Sequence, residues 1–408
     1  MPPLIAAGPA SGVDLFADPV LEDPYPVYEA LRTTGRVVWL DQHQAWFAGR
    51  HEEVSAVLTR PKTFSCEHGV ALTSAGSRQP PESTVPPRGG QRHLSMRSPL
   101  SRHLNSGAVK ALTAETRSQA ELMAHQYTAR EEFDAVEFVT RFVAGRVVRL
   151  MDLPETAGPE LVASALAVVD MSAPDHTRYH SETLATAMTA VLSRVVSRKT
   201  ARRGSWLDRL YKAADTGYLS ECDVVPLMAA YVTSGVDTTI CGITAALHHL
   251  ARSPMYFRRV RAERLDPAAV FHEAIRLDAP VQVLERRVTR DALIGDTRLR
   301  AGQRVWASPG SSGRDPRRWG SHAAVFRPER ADGTQHLAFG LGPHSCAGRQ
   351  LAQMYAVSLL QALARFGTRL EIAGDPVRTR SSAFRGWKAL PLRITPDRRR
   401  FRARASTV

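Results

Sequence analysis

One cysteine, Cys346, stands in a sequence context that could hold a metal-binding thiolate. It lies near the end of the run HLAFGLGPHSCAGR, and it is followed by LAQMYAVSLLQALARF, which indicates a helix. Gly340 and Gly342 let the backbone turn tightly with positive φ, and a helix N-terminus favours an anionic thiolate through its dipole and its free N–H groups. The run therefore predicts one thiolate, hydrogen-bonded by backbone amides, as an axial ligand for haem iron. A buried, inert cysteine is the alternative.

A second group of polar residues, Ser234 to Thr239 (SGVDTT), lies in the middle of a long apolar segment. Gly and consecutive Thr residues weaken a helix, and a Thr hydroxyl can bond back to the carbonyl one turn earlier. We expect a local bulge here that opens a pocket for water or dioxygen. A buried Asp that is satisfied by a neighbouring Arg is the alternative.

These two motifs, with FHEAIRLDAP and VFRPER between them, make the chain similar to the bacterial cytochromes P-450, which are haem-thiolate monooxygenases. The resemblance covers roughly residues 23–395 in the family's motif order. It implies a fold that is mainly α with a small β region, triangular in outline, with one long central helix over the haem. Haem b (heme b, iron protoporphyrin IX) is the implied cofactor, with Cys346 as the ligand of its iron and with Phe339 and Gly348 beside it.

The resemblance also implies roles for residues outside the cysteine loop. Asp237 and Thr238 would form the acid–alcohol pair that supplies protons for O–O cleavage. Glu273, Arg276 and Arg330 would form a buried ion-pair trio that holds the cysteine loop in place and has no catalytic role.

Haem carries two propionates, and the family binds them with basic residues at three sites. The matching positions are His93 and Arg97 on an early helix, Arg286 in the strand after the Glu-x-x-Arg helix, and His344 in the cysteine loop. Charge-assisted contacts of this kind are strong and specific.

Three segments depart from the family pattern. STVPPRGGQRH precedes His93 where an Asp-Pro-Pro is usual, LAQMYA follows Cys346 where an Arg-x-Glu is usual, and Gly313 replaces a usual Asn in GSSGRDPRRW. None of them removes a residue assigned to the haem. They predict a divergent loop over the haem and one missing surface ion pair.

Four segments, FSCEHGVAL, SGVDTT, GRDPRRW and FRGWKALPLRI, resemble the bacterial subgroup that oxidises small aromatic acids. That subgroup places an Arg and a Ser near the substrate carboxylate, one turn before its SGVDTT equivalent, where this chain has Ala229 and Ala230. An apolar pair cannot anchor a carboxylate, so we expect an aromatic substrate that is less acidic or larger. The implied pocket residues, for which ordinary core packing is the alternative, are the loop 66–92 and Ala230, Thr233, Ser234, Val281 and Val283.

The implied function is that of an oxidoreductase that activates dioxygen with electrons from a ferredoxin and its ferredoxin reductase. It would hydroxylate or O-dealkylate a small aromatic substrate. A biosynthetic oxidase of secondary metabolism, which forms a ring, a C–C or a C–N bond, is the alternative that the divergent loop favours. A haem-based sensor would have no reason to keep Asp237 and Thr238 together.

The charge balance is +14, because 54 Lys and Arg residues stand against 40 Asp and Glu residues. The basic residues are spread along the chain and form no binding motif, which argues against a nucleic-acid binder. The excess fits a basic face for an acidic ferredoxin around the helix of Arg97, Arg349 and 314–318, or an even spread of solvated charge.

Elements predicted from local patterns would place these motifs in one chain of 408 residues. They are helices at 23–32 and 51–60, a hairpin at 36–49, strand pairs within 292–307 and a helix at 347–366. The segment 224–251 has the length of a membrane span, but Asp237 near its centre favours a long core helix. The absence of a C-x-x-C pair argues against a zinc ribbon. The absence of a secretory signal favours a cytoplasmic protein. We divide the chain into an N-terminal extension 1–22, a single haem-thiolate domain 23–396 and a basic, disordered tail 397–408.

Overall fold

The computed structural model of the chain describes residues 8–66, 104–154, 156, 158–160, 192–193, 196–381 and 384–400. Two of the predicted haem anchors, His93 and Arg97, lie outside these residues, as does the loop from 67 to 92. The side chain of Ala230 also lies outside the description.

Helices form about half of the described chain, and they surround one long central helix. They are α1 (Asp18–Glu22), α2 (Tyr25–Thr34), α3 (His51–Thr59), α4 (Ser106–Thr128), α5 (Ala135–Leu150), α6 (Trp206–Asp215), α7 (Val224–Arg252), α8 (Pro254–Arg261), α9 (Pro267–Leu277), α10 (Pro309–Ser312), α11 (Pro316–Trp319) and α12 (Arg349–Phe366). The 29-residue α7 contacts α5, α8, α9 and α12, so it forms the centre of the largest apolar core.

Short strands form the small β region. They are β1 (Ala10–Ser11), β2 (Val37–Leu40), β3 (Ala45–Ala48), β4 (Phe64–Ser65), β5 (Glu132–Asp134), β6 (Leu284–Val288), β7 (Ala292–Ile294), β8 (Thr297–Leu299), β9 (Arg304–Ala307), β10 (Gly367–Ile372), β11 (Val377–Arg378), β12 (Trp387–Ala389) and β13 (Pro391–Pro396). One sheet has the order β1-β2-β3-β9-β6-β4, and the others are β10-β13-β5, β11-β12 and β7-β8.

The helices and the hairpin at 36–49 predicted from local patterns are confirmed, and the strand pairs predicted within 292–307 are confirmed in part. Helix α2 begins after Pro24 and buries one face, and β2 pairs antiparallel with β3 so that Trp39 lies opposite Trp46. The segment 292–307 contains the hairpin β7–β8, which turns at Gly295 with a φ of +61°. Strand β9 does not join this hairpin, because it pairs with β3 and β6 in the large sheet.

The central helix α7 differs from its prediction in one respect. The predicted bulge at 234–239 is wrong, since the α-helix is continuous from Val224 to Arg252. The Thr238 hydroxyl donates to the carbonyl of Ser234 at 2.7 Å without breaking the helix, because that carbonyl has a second lone pair. By length and composition alone this helix could cross a membrane, but more than half of its most apolar window is buried inside the protein.

The N-terminal segment before residue 23 is joined to the core. Ala10–Ser11 pairs in parallel with β2, and Leu15 and Phe16 are buried. The ring of Phe16 meets that of Trp306 on β9 edge to face, with 5.7 Å between their centres. Burial of two large apolar side chains contributes stability that a detached extension would not supply.

The described start of the predicted tail, residues 397–400, also contacts the domain. The Asp397 N–H donates to the carbonyl of Phe366 at 2.6 Å, and its carboxylate pairs with Arg261. Residues 401–408 lie outside the described chain.

A buried carboxylate, Asp278, ties distant parts of the chain together at the end of α9. Its oxygens are reached by side chains from five other places: Tyr25, His249, Arg314, Arg378 and Arg385. The Tyr25 hydroxyl donates at 2.7 Å and the Arg385 Nε at 3.1 Å. Burial alone would raise the pKa of Asp278, but the His249 hydrogen bond and the Arg378 charge hold it well below its usual range.

The same carboxylate belongs to a group of three potential metal ligands. His248, His249 and Asp278 offer atoms that lie within 4.8 Å of one another. Three arginines already surround Asp278, so their charges would oppose a divalent cation there. We therefore interpret the group as a structural ion cluster.

We expect Asp278→Asn to lower the free energy of unfolding by about 3 kcal/mol at neutral pH, because one buried and two partly buried arginines lose their shared carboxylate. The matched variant Tyr25→Phe keeps the charge, removes one hydrogen bond and costs about 1 kcal/mol. Since the folded-state pKa of Asp278 is lowered, its contribution is present above the ordinary pKa of about 3.9 and is lost as the pH falls below it.

Urea denaturation at pH 7 and at progressively lower pH measures both effects. The difference between the wild-type protein and Asp278→Asn should narrow in acid. A difference that does not depend on pH, or equal losses for the two variants, would contradict this assignment.

Candidate active site around Cys346

The loop that carries Cys346 is shaped by two glycines. Gly340 and Gly342 have φ angles of +66° and +74°, in the left-handed region that favours glycine. The Gly340 N–H donates to the carbonyl of Leu337 at 2.9 Å, and the Cys346 N–H donates to that of Phe339 at 2.8 Å. These bonds close the loop on itself and leave Cys346 exposed.

The helix that follows begins three residues after the cysteine. Helix α12 starts at Arg349 and is capped by Gly348, so Cys346 lies just outside the end where backbone N–H groups are free. A Cβ atom on Gly348 would lie 3.8 Å from the Cys346 Sγ atom, which is ordinary van der Waals contact. The arrangement matches the predicted setting for a thiolate.

The Phe339 ring is fixed by other rings at the base of the loop. Its centre lies 5.7 Å from that of His336, 6.0 Å from that of His272 and 6.4 Å from that of Phe271. The guanidinium of Arg349 lies over the same ring at 5.5 Å. Packing from several sides therefore restricts the orientation of this ring.

The ion-pair trio predicted from the resemblance is assembled in the structure. Arg276 donates to Glu273 through two bonds of 2.7 and 2.8 Å, and the Arg330 Nε donates to Glu273 at 3.0 Å. Arg276 is fully buried, and it also donates to the carbonyls of Gly313 and Ala323. The trio thus links α9 to the chain that leads into the cysteine loop.

The departure at Gly313 has a steric reason. A Cβ atom at this position would overlap the backbone oxygen of Arg276. Only a residue without a side chain lets the backbone at position 313 approach the end of α9 this closely. This approach brings the Gly313 carbonyl within reach of the Arg276 guanidinium.

Two of the predicted propionate anchors lie near a third residue that the sequence analysis did not single out. The Sγ atom of Cys66 lies 3.3 Å from the Nε2 atom of His344, and Cys66 also interacts electrostatically with Arg286. Burial lowers the pKa of Arg286, whose Nη1 donates to the carbonyl of Glu285 at 2.7 Å. No spacing in the sequence links position 66 with position 344, so only the fold brings them together.

The acid and the alcohol of the SGVDTT motif are consecutive residues on α7. Asp237 is buried and Thr238 is partly buried. One turn further on, burial and the nearby Asp237 raise the pKa of the Cys241 thiol to about 12, so this thiol stays protonated. A Cβ atom on Gly386 would lie 2.6 Å from the Cys241 sulfur, so the β12 region approaches α7 closely here.

The predicted pocket residues are divided between two places. Thr233 and Ser234 lie on α7, partly buried and exposed respectively, and the Thr233 hydroxyl donates to the carbonyl of Ala229 at 2.9 Å. Val281 forms an isolated antiparallel bridge with Phe384. Val283 is buried in the apolar cluster that contains Leu15, Phe16 and Trp306.

The residues described here fit a haem. Cys346 offers an exposed thiol at a helix N-terminus, which suits a metal ligand. Arg286 is buried and forms no ion pair with a carboxylate in the part of the chain that the structure describes. A buried cation of this kind fits a ligand that brings its own carboxylates.

Comparisons with known proteins agree with this geometry. The family model described as Cytochrome P450 matches residues 268–381. Cytochrome P450 CYP199A2 of Rhodopseudomonas palustris is 31% identical over 400 residues, which cover 96% of this chain and 96% of that protein. The epothilone C/D epoxidase of Sorangium cellulosum is 27% identical, over 96% of this chain and 97% of that protein. The solved structure of cytochrome P450 CYP109Q5 from Chondromyces apiculatus has a TM-score of 0.79 and 24% identity, and covers 94% of this chain and 98% of that chain.

We expect Gly342→Ala to impair the cysteine loop more than Gly340→Ala. Both substitutions impose left-handed strain of about 1–2 kcal/mol. At position 342 the new Cβ would also lie 2.9 Å from the carbonyl oxygen of Leu58, whereas the nearest atom at position 340 is 3.6 Å away. Urea denaturation and the haem content per chain measure the difference, and equal losses would contradict it.

Proposed function

The chain belongs to the cytochrome P450 family, and from this premise we propose that it is a haem-thiolate monooxygenase with Cys346 as the ligand of the iron. Members of the family are monooxygenases that bind haem through a cysteine thiolate, and the predicted fold class is confirmed by structural neighbours. In this proposal the enzyme hydroxylates or O-dealkylates a small, aromatic organic substrate.

The observation that carries the proposal is the position of Cys346. Its thiol is exposed, its N–H is held by the carbonyl of Phe339, and the 18-residue α12 begins three residues later. A thiolate in this position gains from the helix dipole. When bound, haem supplies the iron that binds dioxygen, and the thiolate donates electron density to that iron.

Proton delivery is assigned to the acid and the alcohol on α7. The Thr238 Oγ1 atom holds the proton nearest to the reaction, and the Asp237 carboxyl replaces it after each transfer. A positioned group of this kind contributes typically 100-fold or more to a rate. Glu273, Arg276 and Arg330 act only by holding the chain around the cysteine loop, because Glu273 and Arg276 are buried and both arginines are paired with the Glu273 carboxylate.

Binding of the haem propionates is assigned to Arg286 and His344, together with His93 and Arg97. The buried guanidinium of Arg286 supports this assignment, since its described contacts include no carboxylate.

The substrate class is inferred from similarity and from the apolar lining. Four motifs of this chain resemble the aromatic-acid subgroup: FSCEHGVAL, SGVDTT, GRDPRRW and FRGWKALPLRI. Ala229 is buried on α7, and with Ala230 it stands where that subgroup has an Arg and a Ser. We therefore assign Ala230, Thr233, Ser234, Val281 and Val283 to the pocket of a substrate that has no carboxylate at this end.

A biosynthetic oxidase of secondary metabolism is the second candidate function. It is favoured by the similarity to the epothilone C/D epoxidase. A binding screen with aromatic compounds and with macrocyclic or polycyclic compounds would separate the two, because a substrate that displaces the axial water shifts the haem spin state.

Electrons for the family come from a redox partner, and we propose a ferredoxin with its ferredoxin reductase. Arg317 and Arg349 are exposed and available for an acidic partner. Arg314 instead pairs with the buried Asp278, and Arg318 pairs with the partly exposed Asp332. The basic face is therefore smaller than the +14 charge of the chain indicates. The cytoplasmic location stays a prediction.

We expect Cys346→Ser to abolish the thiolate-type band in the carbon-monoxide difference spectrum of the reduced protein, because a hydroxyl does not ionise at neutral pH. Cys222→Ser is the control, since Cys222 is exposed just before α7, outside the cysteine loop. A normal band in the Cys346 variant would remove the basis of the proposal.

We expect Thr238→Ala to reduce product formation by about 100-fold while reductant is still consumed, with hydrogen peroxide in place of product. Thr244→Ala is the matched control. Its hydroxyl donates to the carbonyl of Ile240 at 2.8 Å on the same helix, and it is buried outside the motif. The ratio of product to reductant measures the coupling, and an unchanged ratio in Thr238→Ala would show that protons arrive by another route.

A further inference from the structure

A buried row of hydrogen bonds lies behind the cysteine loop. The Ala338 N–H donates to the Nδ1 atom of His336 at 3.1 Å, and the Nε2 atom of His336 lies 3.0 Å from the Nδ1 atom of His272. The Nε2 atom of His272 lies 3.0 Å from the Oε1 atom of Gln353. The row connects the loop to α9 and α12.

The direction of every bond in this row follows from its first member. A backbone N–H can only donate, so the Nδ1 atom of His336 must be the acceptor and its proton must be on Nε2. That proton is donated to the Nδ1 atom of His272, whose own proton must then also be on Nε2. The last proton needs an acceptor, and the carbonyl oxygen of Gln353 supplies it.

The row is complete only when both imidazoles are neutral. A second proton on His336 would face the Ala338 N–H, and a second proton on His272 would face the Nε2–H group of His336. Burial lowers the pKa of both rings. Arg276, Arg349 and His51 also face these rings, and they lower the pKa further. Asp266, near His272, raises the pKa instead.

We propose that His336, His272 and Gln353 form a one-way, uncharged hydrogen-bond chain that positions the loop of Cys346, and that this chain requires an acceptor at position 353. The link to the site is short, because the chain ends on Ala338 and the next carbonyl, that of Phe339, accepts the Cys346 N–H. The chain itself follows from the hydrogen bonds, and only its consequence for Cys346 rests on the proposed function.

This chain accounts for one departure from the family pattern. In LAQMYA, Gln353 stands at the first position of the usual Arg-x-Glu. An arginine can only donate, so it would compel His272 to accept on Nε2 and to carry its proton on Nδ1. His336 would then have to reverse as well, and two donors would meet at the Ala338 N–H.

Two variants at one position separate this role from simple packing. Gln353→Glu keeps the acceptor and adds a charge that stabilises a protonated His272, whereas Gln353→Arg replaces the acceptor with a donor. The first readout is nitrogen NMR of the histidine-labelled, reduced carbon-monoxide complex, which reports the tautomer of each ring. The second is the pH at which the thiolate-type band of the same complex is lost.

In the wild-type protein we expect His336 and His272 to carry their protons on Nε2. Gln353→Glu should keep this pattern at neutral pH, but it should raise the acid midpoint of the band by about one pH unit or more, as a carboxylate beside an imidazole does. Gln353→Arg should reduce the band at all pH values and change the tautomer of His272.

Protons on Nδ1 in the wild-type protein would overturn the proposal, and so would an acid midpoint unchanged by Gln353→Glu. If Gln353→Arg does not accumulate, the midpoint of Gln353→Glu decides alone. If Cys346 proves not to be the ligand of the iron, that result is separate, because the tautomers of His336 and His272 would be unchanged.

Discussion

The burial of one guanidinium, that of Arg276, is the constraint on which the region around Cys346 depends. A cation that is removed from solvent is tolerated only when each of its N–H donors has a hydrogen-bond acceptor. Arg276 meets this demand with the Glu273 carboxylate and with three backbone carbonyls: those of Gly313, Ala323 and Val325. The path of the chain before the cysteine loop is therefore set by a single side chain. The Glu273 carboxylate also accepts hydrogen bonds from the Arg330 side chain and from the backbone N–H of Arg327. The ion pair of Glu273 with Arg276 therefore also fixes the chain that enters the cysteine loop.

Much of this arrangement could be predicted because the motifs are local or belong to a family pattern. The turn glycines, the helix after Cys346 and the hairpin at 36–49 follow from short stretches of sequence. The Glu273 trio could be assigned because the resemblance fixes its members one by one.

The remaining features could not be predicted because they join residues that are distant in the sequence. Asp278 gathers side chains from position 25 to position 385, and Cys66 meets His344 across the fold. The bulge expected at 234–239 was inferred from residue propensities, which packing of α7 inside the core overrides. A buried row such as the one from His336 to Gln353 has no spacing that marks it in the sequence, since its members lie in a loop and on two helices.

The order of strands in the large sheet has a consequence for biosynthesis. Strand β3 ends at residue 48, and its parallel partner β9 begins at residue 304. A ribosome that adds about 5–20 residues per second needs roughly ten seconds or more to make the chain between them. A hairpin that β2 and β3 form during that time has an open edge at β3, where β9 pairs later. Such a nascent edge is open to pairing with other chains, so the yield of folded enzyme depends on what shields this hairpin until the C-terminal half emerges.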